Sequence, residues 1–409
     1  MTKEKIDIKI KPLGFLDLLA FKKLVPTRKK KIAAAAAAPF PGNPPVNALA
    51  AQLHPEVQHL KVSEVREETE NVKTYKLVAD TDRGTERLAF FRPGQYLSLE
   101  FKINGSTVTR PYSISSSPQE ALNGYYEITI KKDDDGYISG YIHEQWSVGS
   151  AVTASGPQGH FYYDNLRDSS NLAAIAGGCG VTPFRSMAKS IVEGDLPVKL
   201  TIFYGSNKRQ DIIFLEEMEQ LAASSNGAVR IVHVLAGEEA EGFEHGFITA
   251  DLLRKYVDVN DCSFFICGPQ AMYNYLSNEI AGLKIRNKYI RRELFGEIKQ
   301  INNTKGYPAG AVAEMYSVKV HTGSQVRVIE ADPSESLLVA LERAGFCPPS
   351  ACRSGSCGVC RSLLIKGEHF IPEDVDARRE ADKKFGFIHP CISYPLGDLE
   401  IILPRKKKD

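Results

Sequence analysis

The sequence predicts a multidomain chain: an antiparallel β-barrel, then a doubly wound parallel α/β unit, then a small α+β unit. Three patterns carry that expectation. Over residues 57–160 apolar and polar positions alternate in short runs, as in Tyr125–Lys131. Gly124, Gly136, Gly149, Gly156 and Gly159 break the segment into strand-length pieces. From residue 172 the period changes. Apolar runs at 172–178, 199–205, 229–236 and 263–267 alternate with helical stretches at 182–193, 212–223, 249–257 and 270–283. That order belongs to a parallel sheet covered by helices. A segment bearing Asn302, Asn303, Gly306, Pro308 and Gly310 then reads as a linker over 298–314. Beyond it a hairpin (316–321 and 325–330), a helix (336–344) and a β-rich end finishing at Leu403 make the small unit. The expected divisions are 1–55, 56–165, 166–297, 298–314 and 315–409.

Composition narrows the function. The 409 residues are 43% hydrophobic and 25% charged, enough apolar content for packed cores. Lys+Arg is 51 and Asp+Glu 50, a net charge of +1, which excludes the global basic field of a nucleic-acid binder. No run of 18 apolar residues is present for a membrane-spanning helix, and no signal-peptide pattern opens the chain. Eight cysteines are too sparse for a disulfide scaffold, and three crowd together at Cys352, Cys357 and Cys360. Both facts fit a metal site in a reducing, cytoplasmic compartment.

Residues 1–55 read as an extension. Ten Lys/Arg against three Asp/Glu give residues 1–31 a charge of +7, leaving −6 for the rest. An apolar stretch at 13–21 precedes Arg28–Lys31, six alanines (33–38) and Pro39, Pro41, Pro44 and Pro45. The prolines predict an extended tether. The basic-apolar stretch predicts docking on a partner or peripherally on an anionic membrane surface. The competing expectation is that Phe15, Leu16, Leu19 and Phe21 pack on the protein's own body. The C-terminal Arg405–Lys408 run is also basic.

Cys352, Cys357 and Cys360 stand as C-x4-C-x2-C, with Cys391 following later. This is the plant-type [2Fe–2S] spacing. Thiolates suit iron, and Gly355 and Gly358 let the loop wrap closely so that backbone N–H groups reach the sulfurs. A zinc site would instead favour paired C-x2-C knuckles. Cys347, beside Pro348 and Pro349, reads as packing. The segment from Ala351 to Cys360 resembles plant-type ferredoxins, which implies an α+β domain of the β-grasp kind.

Two further motifs point to nucleotides. Arg110-Pro111-Tyr112-Ser113 ends a predicted strand, offering a cation for a phosphate, a ring for a flat heterocycle and a hydroxyl for a ring nitrogen. Gly177-Gly178-Cys179-Gly180-Val181-Thr182-Pro183 closes the first parallel strand and opens a helix, where glycines admit a pyrophosphate. Cys267-Gly268-Pro269-Gln270-Ala271-Met272 does the same at the fourth strand.

With Phe91–Tyr96 before and Gly136–Ser139 after, these motifs resemble the ferredoxin–NADP reductase superfamily over residues 57–300. The resemblance implies that Arg110 binds a flavin phosphate, Tyr112 lies on the flavin ring and Ser113 approaches its N5. Thr129, Ile130 and Lys131 would line the flavin chain. The turn Gly136, Tyr137, Ile138, Ser139 would hold the phosphate end. FAD is favoured, with FMN an alternative. Gly177, Gly178, Gly180, Thr182, Gly268 and Pro269 would hold the dinucleotide, with Cys267 at the reacting nicotinamide carbon. Ser206, Lys208 and Arg209 would lie at its 2′ end, leaving NADH and NADPH open. Phe295, in Glu293-Leu294-Phe295-Gly296, would approach the flavin or serve as a core aromatic.

Flavin, nucleotide and ferredoxin parts in that order resemble reductases of the phthalate dioxygenase reductase and hybrid-cluster-protein reductase type. The implied activity is NAD(P)H oxidation, with single electrons leaving through the cluster to a terminal redox protein, an oxygenase or a reductase component. The alternatives are a docking subunit of a larger redox complex, or a reductase of free flavin or ferric iron.

Overall fold

The computed structural model describes residues 15–35, 42, 44–103, 105–134, 136–298, 300–308 and 315–404, with side chains from residue 22 onward. The alanines past 35, Pro39, Pro41, the side chains of Phe15, Leu16, Leu19 and Phe21, linker residues 309–314 and Arg405–Lys408 lie outside what is described. The chain divides into two compact units, residues 1–50 and 51–409.

In the first unit, α1 (Phe15–Ala34) is a 20-residue helix carrying Pro26, and its described side chains from Lys22 onward are exposed. α2 (Pro45–Leu53) spans the division between the units. Pro44 and Pro45 were expected to extend a tether. Instead Pro45 is the first residue of α2, a position where a missing N–H costs nothing.

The second unit opens with six antiparallel strands: β1 (Gln58–Thr69), β2 (Val72–Ala79), β3 (Tyr96–Ile103), β4 (Ser106–Ser113), β5 (Tyr125–Lys131) and β6 (Ala151–Ala154). They lie in the order β4-β3-β6-β1-β2-β5, and an Ile114–Ile128 bridge joins the two edges into a barrel. Leu60, Leu77, Leu97, Leu99, Tyr126 and Ile128 fill its interior. The short α3 (Pro118–Leu122) precedes β5. The Gly136–Ser139 segment, expected as a turn, is the entry to helix α4 (Tyr137–Gln145), whose Ile138 and Ile142, four apart, are buried in the barrel core.

A parallel sheet follows. Its strands are β7 (Asn171–Gly177), β8 (Lys199–Ser206), β9 (Val229–Leu235), β10 (Glu244–His245), β11 (Ser263–Cys267) and β12 (Ile290–Glu293). Helices α5 (Thr182–Val192), α6 (Leu215–Ser224), α7 (Ala250–Tyr256) and α8 (Gln270–Gly282) connect them. The order β10-β9-β8-β7-β11-β12 reverses between β7 and β11, so a ligand crevice opens at their carboxyl ends. The four strands expected from sequence are the interior ones. The edge strands β10 and β12 were not foreseen, because two or four residues leave no period to read.

The last part comprises β13 (Tyr316–Thr322), β14 (Gln325–Ala331), α9 (Leu337–Arg343), β15 (Ser362–Lys366), β16 (His369–Phe370), α10 (Glu380–Lys384), β17 (Phe387–Ile388), β18 (Tyr394–Pro395) and β19 (Leu399–Ile402). The main sheet runs β14-β13-β19-β15-β17, with β13 and β19 parallel and the other pairs antiparallel. Ser336 caps α9 by accepting from the Val339 N–H, and the hairpin and helix enclose a core of Val318, Val320, Leu337 and Leu341. This is the expected mixed α+β arrangement.

Barrel and parallel sheet are locked by Arg185 of α5. Its guanidinium donates to Glu127 of β5 at 2.7 Å, to the Ser115 carbonyl at 2.9 Å and to Glu217 of α6 at 2.8 Å. The side chain is 3% exposed. Glu127 is buried although it alternates with core residues of β5, because α5 covers that face. Arg185→Ala would strand a buried carboxylate, a change that costs about 3–5 kcal/mol. It should lower the urea midpoint of the holoprotein, and an unshifted midpoint would contradict the lock.

Candidate functional site

The crevice is built by backbone that tolerates no side chains. A Cβ on Gly180 would lie 2.0 Å from the Cys267 carbonyl oxygen, and Cβ atoms on Gly177 and Gly268 would strike Met272 at 2.8 and 2.3 Å. These glycines let the β7 and β11 ends touch, which explains both motifs. Thr182 turns its hydroxyl inward and donates to the Cys179 carbonyl at 2.8 Å, closing the turn.

Between this crossing and the barrel lies a cavity of about 310 Å³. The barrel side presents Tyr112, Ser113, Thr129, Ile130 and Lys131. The parallel-sheet side presents Gly177, Gly178, Gly180, Thr182, Cys267, Gly268 and Pro269, with Phe295 beyond. So the structure brings thirteen of the expected site residues to one cavity. Cys179 lines it too, its thiol pushed up to about 12 by burial.

A larger cavity of about 580 Å³ shares Lys131, Gly177, Gly178 and Pro269 with the first and runs along the sheet top to Ser206. Lys208 and Arg209 do not line it. The Arg209 guanidinium lies 5.6 Å from the Phe243 ring centroid, and the Lys208 N–H donates to Asp211 at 3.0 Å. Asp211, Phe247 and Tyr275 do line it, and sequence reasoning missed all three. The Gly136–Ser139 entry of α4 lines neither cavity. There the Ser139 hydroxyl donates to the Gly136 carbonyl at 3.3 Å and accepts the Asp133 N–H at 3.1 Å.

Arg110 sits two residues before Tyr112 on β4. One guanidinium nitrogen donates to the Thr109 carbonyl at 2.8 Å. Burial, then the nearby Arg353 guanidinium, lowers its pKa. Arg110 is half-buried and lines neither cavity, but a cation whose hydrogen bond goes to a neutral carbonyl has donors left for an anion, so the strand beside the cavity fits a phosphate-bearing flavin.

Glu293, at the end of β12, is the main residue the sequence did not reveal. It is buried, and the Ser113 hydroxyl is 3.5 Å from its Oε2. Burial pushes its carboxyl well above the usual range. The Tyr273 hydroxyl lies 2.7 Å from the Ile266 carbonyl and 2.6 Å from that of Glu293, pinning β11 to β12. The signal available was the Glu293–Gly296 segment, but its carboxylate has a role only once β12 pairs with β11.

The cysteine loop follows α9 without regular structure. Cys352, Cys360 and Cys391 are buried and Cys357 is exposed. The Ser354 and Cys357 N–H groups point at Cys352 Sγ, both at 3.4 Å, and the Val359 N–H at Cys357 Sγ at 3.5 Å. Cys360 Sγ and Cys391 Sγ are 3.4 Å apart. Gly355 and Gly358 have φ of +81° and +69°, which lets the loop curl. Four thiols with backbone donors aimed at sulfur fit a [2Fe–2S] cluster. Tyr96 of β3 stands between the two sites. Its ring packs edge-on against Phe295 at 5.9 Å, and Cys352, Cys357 and Glu293 are among its electrostatic neighbours.

Comparison with known families agrees with this division. Residues 59–163 match the oxidoreductase FAD-binding domain, 174–278 the oxidoreductase NAD-binding domain and 320–396 the 2Fe-2S iron-sulfur cluster binding domain. Together these domains match a reductase of the ferredoxin–NADP reductase type with a C-terminal [2Fe–2S] domain. The reductase is 29% identical to the glycine betaine monooxygenase reductase subunit of Chromohalobacter salexigens, over 84% of this chain and 94% of the relative. It is also 29% identical to the ferredoxin reductase component of 3-ketosteroid-9-alpha-monooxygenase from Mycobacterium tuberculosis, with the same coverages. The solved structure of phthalate dioxygenase reductase shares its fold at a TM-score of 0.60 and 23% identity, covering 85% of this chain and 97% of that one. This reductase is thus an oxidoreductase with FAD, NAD and [2Fe–2S] domains.

Glu293 makes stability depend on pH. Its native carboxyl holds a proton above the unfolded value of 4.5. The contribution is therefore full below that value and is lost as pH rises through the raised native value. Glu293→Gln cannot ionise, so the wild-type melting temperature should fall relative to the variant's as pH rises from about 5 to 8. Parallel pH profiles would contradict a buried, protonated carboxyl.

Proposed function

We propose that this reductase oxidises NADH and delivers single electrons through its [2Fe–2S] domain to a partner oxygenase. The observation that carries the reading is the meeting of Ser113, Cys267, Glu293 and Phe295 beside Tyr96, which also neighbours the cysteine loop. The names of the curated relatives support an oxygenase as the acceptor. Asp211 in the larger cavity supports NADH, because a carboxylate there accepts from a ribose 2′-hydroxyl and repels a 2′-phosphate.

When bound, the flavin accepts electron pairs and releases single electrons, which a [2Fe–2S] centre can take. The protein's own residues supply position and electrostatics. Arg110 would hold the flavin phosphate, Tyr112 would lie against the ring, and Thr129, Ile130 and Lys131 would line the chain. Ser113 would present its hydroxyl to the ring, with Glu293, whose carboxyl burial pushes up, behind it. Gly177, Gly178, Gly180, Gly268 and Pro269 admit the dinucleotide backbone, and Cys267 packs at the nicotinamide. Cys352, Cys357, Cys360 and Cys391 would hold the cluster, and exposed Cys357 would give an acceptor its approach.

Cys357→Ser should abolish the cluster's absorption and its paramagnetic signal on reduction, while flavin content and NADH–ferricyanide turnover stay near wild type. Loss of ferricyanide turnover together with cytochrome c turnover would break the proposed order of flavin before cluster.

The extension is proposed to dock the partner. In the sequence of helix α1 the mostly apolar run 15–21 comes first, and the cations Lys22, Lys23 and Arg28–Lys31 follow it, with the described ones exposed. Removing residues 1–50 should leave ferricyanide turnover intact and slow delivery to the partner, the difference shrinking as salt screens the exposed cations. Unchanged partner kinetics would remove that role, and lost binding to anionic vesicles instead would assign the extension to a membrane surface.

A further inference from the structure

Arg353 directly follows Cys352 in the cysteine loop, yet its side chain is fully buried. Its φ is +55°, a conformation a non-glycine residue holds only when its surroundings demand it. The demand comes from two carboxylates. Glu342 of α9 takes two hydrogen bonds from the guanidinium, at 2.6 and 2.9 Å, and Glu297, after the last strand of the nucleotide unit, pairs with the same guanidinium.

Both carboxylates are also electrostatic neighbours of Arg110. Yet Arg110 forms no ion pair with either among the described contacts, and its hydrogen bond goes to the Thr109 carbonyl. The hairpin β3–β4 holds the groups in this arrangement. The Thr109 and Ser350 hydroxyls are 2.6 Å apart, the Ser106 hydroxyl donates to the Glu342 carbonyl at 2.9 Å, and the Ser98 hydroxyl to the Ala351 carbonyl at 3.3 Å.

Two cations and two carboxylates therefore share one region, Arg353 and Glu342 buried and Arg110 and Glu297 half-buried, and the pairing is uneven. Arg353 occupies both carboxylates, while Arg110 keeps donors free. We propose that Arg353 is a positioning residue for flavin binding: by occupying Glu297 and Glu342 it keeps Arg110 available to the flavin phosphate. This rests on the reading of Arg110 as the phosphate contact and extends it, because flavin retention then depends on a side chain of the cluster loop. Without Arg353, the buried Glu342 and half-buried Glu297 carboxylates would be left beside an under-bonded guanidinium, and the strongest charge-assisted pairing open to them would be Arg110 itself.

The test uses the full chain with its cluster loaded and its flavin removed. Affinities for FMN and riboflavin, which differ only by the phosphate, are measured by quenching of flavin fluorescence. Arg353→Gln should cut the FMN-to-riboflavin affinity ratio by about tenfold or more, leaving riboflavin binding and cluster absorption close to wild type. Arg353→Lys, which cannot reproduce the forked pairing with both carboxylates, should give a smaller drop and serves if the Gln variant fails to hold its cluster. Adding Glu297→Gln and Glu342→Gln to either variant should restore the ratio. An unchanged ratio in Arg353→Lys, an equal loss for both flavins, or no restoration in the combined variant would overturn the proposal. Arg110→Ala separates the two layers. If it leaves the ratio at wild type, the phosphate reading itself fails. If it collapses the ratio while the Arg353 variants do not, only the role of Arg353 fails.

Discussion

The hairpin β3–β4 has to serve two neighbours at once, and the other parts of the catalytic unit are arranged around it. Tyr112 and Ser113 of this hairpin line the cavity beside Cys267, and Arg110 stands two residues away. Ser106 of the same hairpin bonds to Glu342 of α9, and Thr109 and Ser98 bond to Ser350 and Ala351, immediately before Cys352. One short hydrogen-bonded ribbon thus fixes the flavin-side residues relative to the cysteine loop. A redox relay needs its stations close and constant in separation, and a two-stranded ribbon with side-chain bonds to both gives that without a long lever.

Buried charges do the remaining orienting. Arg185 joins the barrel to α5 and α6, and Arg353 joins the cluster loop to α9 and to the end of the nucleotide unit. Such pairs gain little net stability over well-packed apolar groups, because desolvation offsets most of the attraction. Their value here is geometric. An Arg fork satisfied by carboxylates from two segments has one acceptable arrangement, whereas apolar surfaces slide. The −6 charge left after the first 31 residues is in part committed to these internal pairs.

What was legible in the sequence was local. Turns such as Gly177–Pro183 and Cys267–Met272 need particular residues because backbone must touch backbone, and that need writes itself into consecutive positions. The cysteine spacing is of the same kind. What was not legible depends on distant strands meeting. Glu293 matters because a four-residue edge strand places it behind Ser113, 180 positions away. Arg353, Glu342 and Glu297 become one group only after three segments pack. Asp211 looked too far from the end of β8, but a tight turn brings it back to the cavity. Arg209, nearer in sequence, sets its guanidinium over the Phe243 ring instead. Gly136–Ser139 reads as a turn until the spacing of Ile138 and Ile142 is noticed, which is that of a buried helix face.

One chain carries neighbouring sites for a two-electron acceptor and a one-electron acceptor. Anaerobic titration of the purified holoprotein with NADH or dithionite, followed by absorbance and paramagnetic resonance, tests it directly. The account predicts uptake of about three electron equivalents per chain, with bleaching of the flavin and the paramagnetic signal of a reduced [2Fe–2S] centre both present at the end point. Uptake of only about two equivalents, with full flavin bleaching and no cluster signal in protein that contains iron, would contradict it.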